Sequence, residues 1–357
     1  MRVLFQRLSD RAGVCTVARP VSTSPSPVVP KHTEPRGSHR RRRGWIALVA
    51  VLVVASASIA AGALLASRGN TPNTPTPPTP AATLTGVPVA QQLTWAPPPL
   101  VAPTTIKVTS SNRQLRLDPT RDYRIVLPST PVTLKGGLVV QGGRNVELIG
   151  GEIAVPTAQA EPKPRQRRGL YLKDQTGTVH IEGLKLSGEL AEGIDLDQSK
   201  GATVQLENIE VGLVTGSYDG NHADLLQGWA GPNILRVDGF KGATTYQGFF
   251  LLPNQHYSGP PPTSFDLRRI VIDSTRDAAY LLWTDNASSW LRPSDIQLVA
   301  PGRDDLTRML RKVADWESAV TLNGDDPTSV LPSGTPGIGY RTPGYGPQSS
   351  ASIESSP

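Results

Sequence analysis

One cysteine in 357 residues, Cys15, excludes a disulfide framework and a thiolate metal cluster; near a membrane it could at most carry a lipid. Histidine is almost as scarce: of five, only His180, His222 and His256 lie beyond residue 66. No Cys or His set has zinc spacing, and there is no HExxH, phosphate-binding glycine loop or nucleophile elbow. Excess charge is missing too, once its position is considered. Residues 1–44 hold nine Arg and one Lys against Asp10 and Glu34. The other 313 residues hold 26 basic and 28 acidic side chains, so the formal +6 belongs to the N-terminal tail. No basic, aromatic-studded face remains for nucleic acid.

What is present begins with HRRRRGW and the uncharged run 45–66, WIALVAVLVVASASIAAGALLA. Twenty-two residues at about 1.5 Å each make a helix of roughly 33 Å, enough to cross a bilayer. The Arg cluster predicts a cytoplasmic tail (1–44), a transmembrane helix (45–67) and an extracytoplasmic remainder at the cell membrane. The length of the run and of the segment before it argues against a cleaved signal peptide. Residues 68–105 are rich in Pro and Thr and read as an extended spacer. Residues 322–357, rich in Gly, Pro and Ser, read as a disordered tail.

Between them, residues 106–302 repeat. GLYLKDQTGTVHIEGLKLSG from Gly169 lines up with GIDLDQSKGATVQLENIEVG from Gly193 and LLQGWAGPNILRVDGFKG from Leu225. LLPNQ from Leu251 followed by FDLRRIVID from Phe265 lines up as a fourth, YLLWTDNASSWLRPSDIQLV from Tyr280 fits more loosely, and NVELIGGEIAV from Asn145 looks like an earlier turn. Leu184, Ile209, Phe240, Ile270 and Ile296 recur at spacings of 25, 31, 30 and 26, with the surplus length in loops. Within repeats apolar residues alternate, as in Val179/Ile181 and Val204/Leu206, which predicts short strands with one face inward. Stacked coils of such strands make parallel sheets around an aliphatic column. The expected fold is all-β, a right-handed parallel β-helix. Residues 303–321 read as an amphipathic helix, with Leu306, Leu310, Val313, Trp316 and Val320 on one stripe, closing its end.

The tandem GxxL…TVxIExLxLxG coils and the HADLLQ segment resemble the pectate-lyase-like (pectin lyase fold) superfamily over about 200 residues, Ile106 to Val299. That resemblance implies a protein acting on a polysaccharide as lyase, hydrolase or epimerase of acidic glycans, or a non-catalytic glycan binder or wall-structural module.

On this architecture a site has to lie on an outer strand face, where rungs about 4.8 Å apart bring side chains of neighbouring coils to one sugar. DGNHADLLQGW, 219–229, enters a coil about six residues longer than the one before it. Histidine is the side chain that ordinarily titrates near neutrality, so His222, beside Asp219 and Asp224, is a candidate base or acid. Asp195 and Asp224 could instead act as paired carboxylates, or hold a Ca²⁺. The catalytic candidates are therefore His222, Asp224 and Asp195. Gln227, Arg236, Lys241, Tyr246 and Arg269 are candidates for holding substrate, the cations for its carboxylates. Turn and surface roles compete with each of these. The expected partners are a polysaccharide and, through the anchor, the membrane; the chain is expected to be monomeric.

Overall fold

A computed structural model of the chain describes residues 88–257, 261–285 and 289–347. The basic tail, the run at 45–66 and most of the Pro/Thr-rich segment lie outside them. No helix among the described residues is long and apolar enough to cross a membrane.

The chain folds as a parallel β-solenoid. Every strand pair is parallel, and equivalent strands of successive coils build an 8-stranded sheet and a 12-stranded sheet. The recurring apolar positions are the cause. Ile209, Phe240, Ile270 and Ile296 are direct register partners. Leu184 stands one residue before the Lys185–Glu210 pair, which completes the series. Val179 pairs with Val204 and Ile181 with Leu206, and all four are fully buried. One continuous column of Leu, Ile, Val and Phe fills the solenoid, and its burial is the main stabilising term.

The 12-stranded sheet bends once per coil at a left-handed residue. Gly150, Gly183, Asn208, Gly239, Arg269 and Asp295 all have positive φ, and each follows the register line Ile149–Glu182–Glu207–Asp238–Arg268–Ser294. Glycine and asparagine take this conformation at small cost, whereas Arg269 has to be held there.

The last coil ends differently from the sequence expectation. No α-helix forms over 303–321. Leu310–Arg311 instead adds a strand to one sheet and Val320–Leu322 to the other, with two short 3-10 turns between. Two edge strands would otherwise present unpaired backbone, which a helix lying across the end could not hydrogen-bond. Lys312, at φ 62°, interrupts any helical run. The predicted stripe still points inward: Leu310 and Trp316 join the core, and Leu306, Val313 and Val320 pack against it.

The tail prediction is corrected over 322–347, which return along the 12-stranded sheet; residues 348–357 lie outside the described residues. There they meet the end of the spacer. Leu93 N–H donates to Gly344 O, and Gly346 N–H donates to Leu93 O. Together the two segments form a strap over a row of acidic side chains. Trp95 N–H donates to Glu207 at 2.9 Å and Thr94 N–H to Asp238 at 2.8 Å, while the Tyr340 and Tyr345 hydroxyls donate to Glu182. Arg269 bonds Asp238 and the carbonyls of Ala90 and Gln92, and Asn208 reaches the carbonyls of Ser333 and Gly334. Composition marked both flanks as unable to form a core; polar partners on the solenoid order their described parts instead.

Candidate functional site

The site candidates fall on two different sheets. Asp195 lies on Glu192–Asp197 and Gln227 on Leu226–Ala230, neighbouring strands of the 8-stranded sheet, and the two residues are register partners. Arg236 and Lys241 lie on Ile234–Thr244 and Arg269 on Ser264–Ser274, both in the 12-stranded sheet. The three proposed substrate cations therefore do not join the carboxylates. Arg236 faces the Trp95 ring of the strap, Lys241 borders a small cleft against Pro332, and Arg269 ties down the strap. Single-sequence spacing could not assign these residues to a wall, because the turn between the two sheets varies in length from coil to coil.

Asp224 does not stack on Asp195. It precedes its strand, and its register neighbour is Glu192: Gly193 N–H donates to Asp224 O, and Asp224 N–H donates to the Glu192 carboxylate at 3.1 Å. This close passage needs glycine. A Cβ on Gly193 would meet Leu225 O at 2.3 Å, closer than non-bonded atoms approach. Glu192, Asp195 and Asp224 thus form one acidic group on two consecutive coils. Glu192 opened the EGID segment and was not among the sequence candidates; its only local signal is that it precedes the glycine of the aligned repeats.

Asp195 points outward by strand parity, yet it is fully buried. The Arg168 guanidinium stands against it as an ion pair without hydrogen-bond alignment, so its oxygens have an opposite charge and no donor. The Asp224 oxygens also lack a donor. Burial raises the proton affinity of all three groups. Asp195 is pushed up to about 6 by burial, partly offset by Arg168. Burial and the charge of Asp195 hold Glu192 well above the usual carboxylate range, and burial with the charges of Glu192 and Asp195 does the same for Asp224. Asp195 therefore ionises near pH 6, beside two carboxyls that bind their protons more tightly than ordinary carboxylates.

His222 is not part of this group. It is exposed, its Nε2 donates to Tyr218 O at 2.9 Å, and no hydrogen bond or ion pair joins it to a carboxylate. Its ring lies 5.4 Å from that of Tyr246, which is itself buried. Asp219 is exposed in the same loop.

The surrounding sheet face is rich in partly exposed aromatics. Tyr171 and Trp229 lie 5.8 Å apart, and Phe250, Tyr280 and Trp283 cluster at 4.9 Å separations. One register line carries Val139, Tyr171, Asp195, Gln227, Phe250 and Trp283 across six coils.

Known proteins give no further lead. Comparison with protein families, curated proteins and solved structures finds no match to this chain. Among the described residues no group of three or more His, Cys, Asp or Glu side chains is arranged to hold a metal ion, so the Ca²⁺ alternative finds no donor set there.

The raised proton affinities make stability pH-dependent. A carboxyl that binds its proton more tightly when folded contributes stability that is present at low pH and lost as pH rises through its folded value. For Asp195 the window runs from 3.8 to about 6, and the loss is on the order of 3 kcal/mol. Asp122 acts in the opposite sense: its ion pair with Arg144 lowers it, so its contribution fades below about pH 4. The melting temperature is expected to be higher at pH 5 than at pH 7.5. In Asp195→Asn that difference should shrink, and an unchanged difference would contradict the assignment.

Proposed function

We propose that this protein is a polysaccharide-active β-solenoid of the right-handed, pectate-lyase-like kind, held outside the membrane by its N-terminal anchor. In this reading the 8-stranded sheet binds the sugar chain and the Glu192–Asp195–Asp224 group supplies acid and base. The observation that carries it is the adjacency of Glu192, Asp195 and Asp224 on two consecutive coils beside aromatic rungs, with burial raising the proton affinity of each. Glu192, the only one of the three that is not fully buried, is the proton donor to a glycosidic oxygen. Ionised Asp195 compensates the charge that develops, and its charge together with burial holds the proton on Glu192. Such a pair fits hydrolysis better than β-elimination, because among the described residues Arg168 alone stands near the carboxylates to stabilise an enolate.

A second reading, a glycan-binding or wall-structural module, is favoured by the burial of Asp195 and Asp224 beneath the surface. One assay separates the two. The full chain is incubated with acidic and neutral polysaccharides while reducing ends and the ultraviolet absorbance of unsaturated products are followed. Reducing ends without absorbance support hydrolysis, and absorbance supports a lyase. Retention on a glycan column without either product leaves binding alone. Trp283→Ala is expected to weaken retention about tenfold, since loss of an aromatic platform costs on the order of 1–2 kcal/mol.

A further inference from the structure

A cleft of about 380 Å³ opens over the first coils of the 8-stranded sheet. Its floor is made by Gln114, Arg116, Val139 and Gln141, and the loop carrying Arg165 and Gln166 forms one wall. Five cations line it, Arg113, Arg116, Lys135, Arg165 and Arg168, and no acidic side chain does. Two of the five are already neutralised: Lys135 pairs with Glu161 at 2.6 Å and Arg168 with Asp195. Among the described residues Arg113, Arg116 and Arg165 have no ion-pair or side-chain hydrogen-bond partner. Arg113 reaches the loop that carries Arg165: a Cβ on Gly136 would stand 3.4 Å from Arg113 Nη1 and 3.3 Å from the Arg165 backbone carbonyl.

Three unneutralised guanidiniums in one cleft repel one another and are stabilised by a bound anion. The number of charges selects the anion. A uronate carboxylate or a sulfate ester brings one negative charge and would leave two cations uncompensated. A phosphomonoester brings roughly 1.5–2 and three acceptor oxygens, and a pyrophosphate at least as much, matching the guanidinium forks. Gln114, Gln141 and Gln166 add amide donors and acceptors suited to sugar hydroxyls. Arg168 and Tyr171 belong both to this cleft and to the surroundings of Asp195, and Tyr171 is the register partner of Asp195. A group held here lies beside the carboxylate centre.

We propose that this cleft binds a phosphorylated sugar through its phosphomonoester or pyrophosphate group, with Arg113, Arg116 and Arg165 as the anion ligands. The inference builds on the glycan reading by naming the charged group of the ligand, but phosphate binding can be measured whether or not any glycan is cleaved.

The test is calorimetric titration of the full chain with inorganic pyrophosphate, a hexose 6-phosphate, a nucleoside diphosphate sugar and a uronate oligomer. Saturable binding of the phosphorylated probes is expected, weakening at least tenfold in the triple variant Arg113→Ala/Arg116→Ala/Arg165→Ala and steeply with added salt. A sugar phosphate binding more tightly than the diphosphate sugar identifies a phosphorylated glycan as the source, and the reverse order identifies a pyrophosphate-linked sugar. Arg165→Glu, a single reversal on an exposed loop, gives the same readout should the triple variant not fold. Absent phosphate binding, unchanged affinity in Arg165→Glu, or tighter binding of the uronate oligomer would each overturn the assignment. Failure of the reducing-end assay alone would overturn only the hydrolytic reading.

Discussion

Glu192→Gln is expected to lower glycan turnover by roughly 10²–10⁴-fold, the usual contribution of a positioned general acid. The amide keeps the size of the side chain and can still accept the Asp224 N–H, so the coil packing around Gly193 is preserved. What it loses is the transferable proton that burial and the neighbouring charge of Asp195 hold on the carboxyl. Activity in the parent chain should rise with pH through about 6 as Asp195 ionises, and fall at higher pH when Glu192 gives up its proton. Asp195→Asn should remove the acidic limb, while His222→Ala, on a side chain hydrogen-bonded to its own loop, should leave turnover within a factor of about three. Reducing-end release across pH, with a melting curve for each variant, checks all three. Full activity in Glu192→Gln would sink the acid assignment, and a large loss in His222→Ala would return the site to the loop.

The second large effect is on stability. Arg269→Met should cost about 3–5 kcal/mol, a fall in melting temperature of roughly 10 °C, because it strands the fully buried Asp238 carboxylate without its bidentate partner. The same substitution removes the donors to Ala90 O and Gln92 O, so proteolysis of the strap near residue 90 should accelerate. Arg269 also occupies the left-handed corner of its coil, at φ 51°. Arg269→Gly relieves that backbone cost but loses the same charge pair, so a variant nearly as unstable as Arg269→Met places the effect in the ion pair. Replacing both partners, Asp238→Leu with Arg269→Met, should recover much of the loss, since an apolar pair leaves no buried charge unpartnered. A shift under about 2 °C in Arg269→Met would mean that the strap is held by its other contacts.

Much of the solenoid was legible from residues that do two things at once. Ile209, Phe240, Ile270 and Ile296 are apolar and recur at coil length, so hydrophobic burial and register give the same answer for each. Gly183, Asn208 and Gly239 carry a backbone conformation that most residues avoid, and they mark the corners. The end of the solenoid was misread because the stripe from Leu306 to Val320 satisfies helical spacing equally well. What decides against the helix is the need of two distant strands, Leu282–Thr284 and Leu291–Val299, for hydrogen-bond partners. The strap was misread for a related reason: a Pro- and Gly-rich segment has no core of its own, and nothing local in Trp95 or Tyr340 names Glu207 or Glu182 as its partner.

The sequence by itself determined the repeat, the parallel stacking of short strands, the aliphatic column, and the membership of Asp195 and Asp224 in neighbouring coils. These follow from hydrophobic periodicity, a local property that survives without coordinates. Only the tertiary structure decided that Glu192 completes the carboxylate group, that Arg236, Lys241 and Arg269 face another wall, and that the described parts of both flanks, 88–105 and 322–347, fold back on the solenoid. Proton affinity and partnership depend on burial and on distances between residues tens to hundreds of positions apart, and those are fixed only when the coils close.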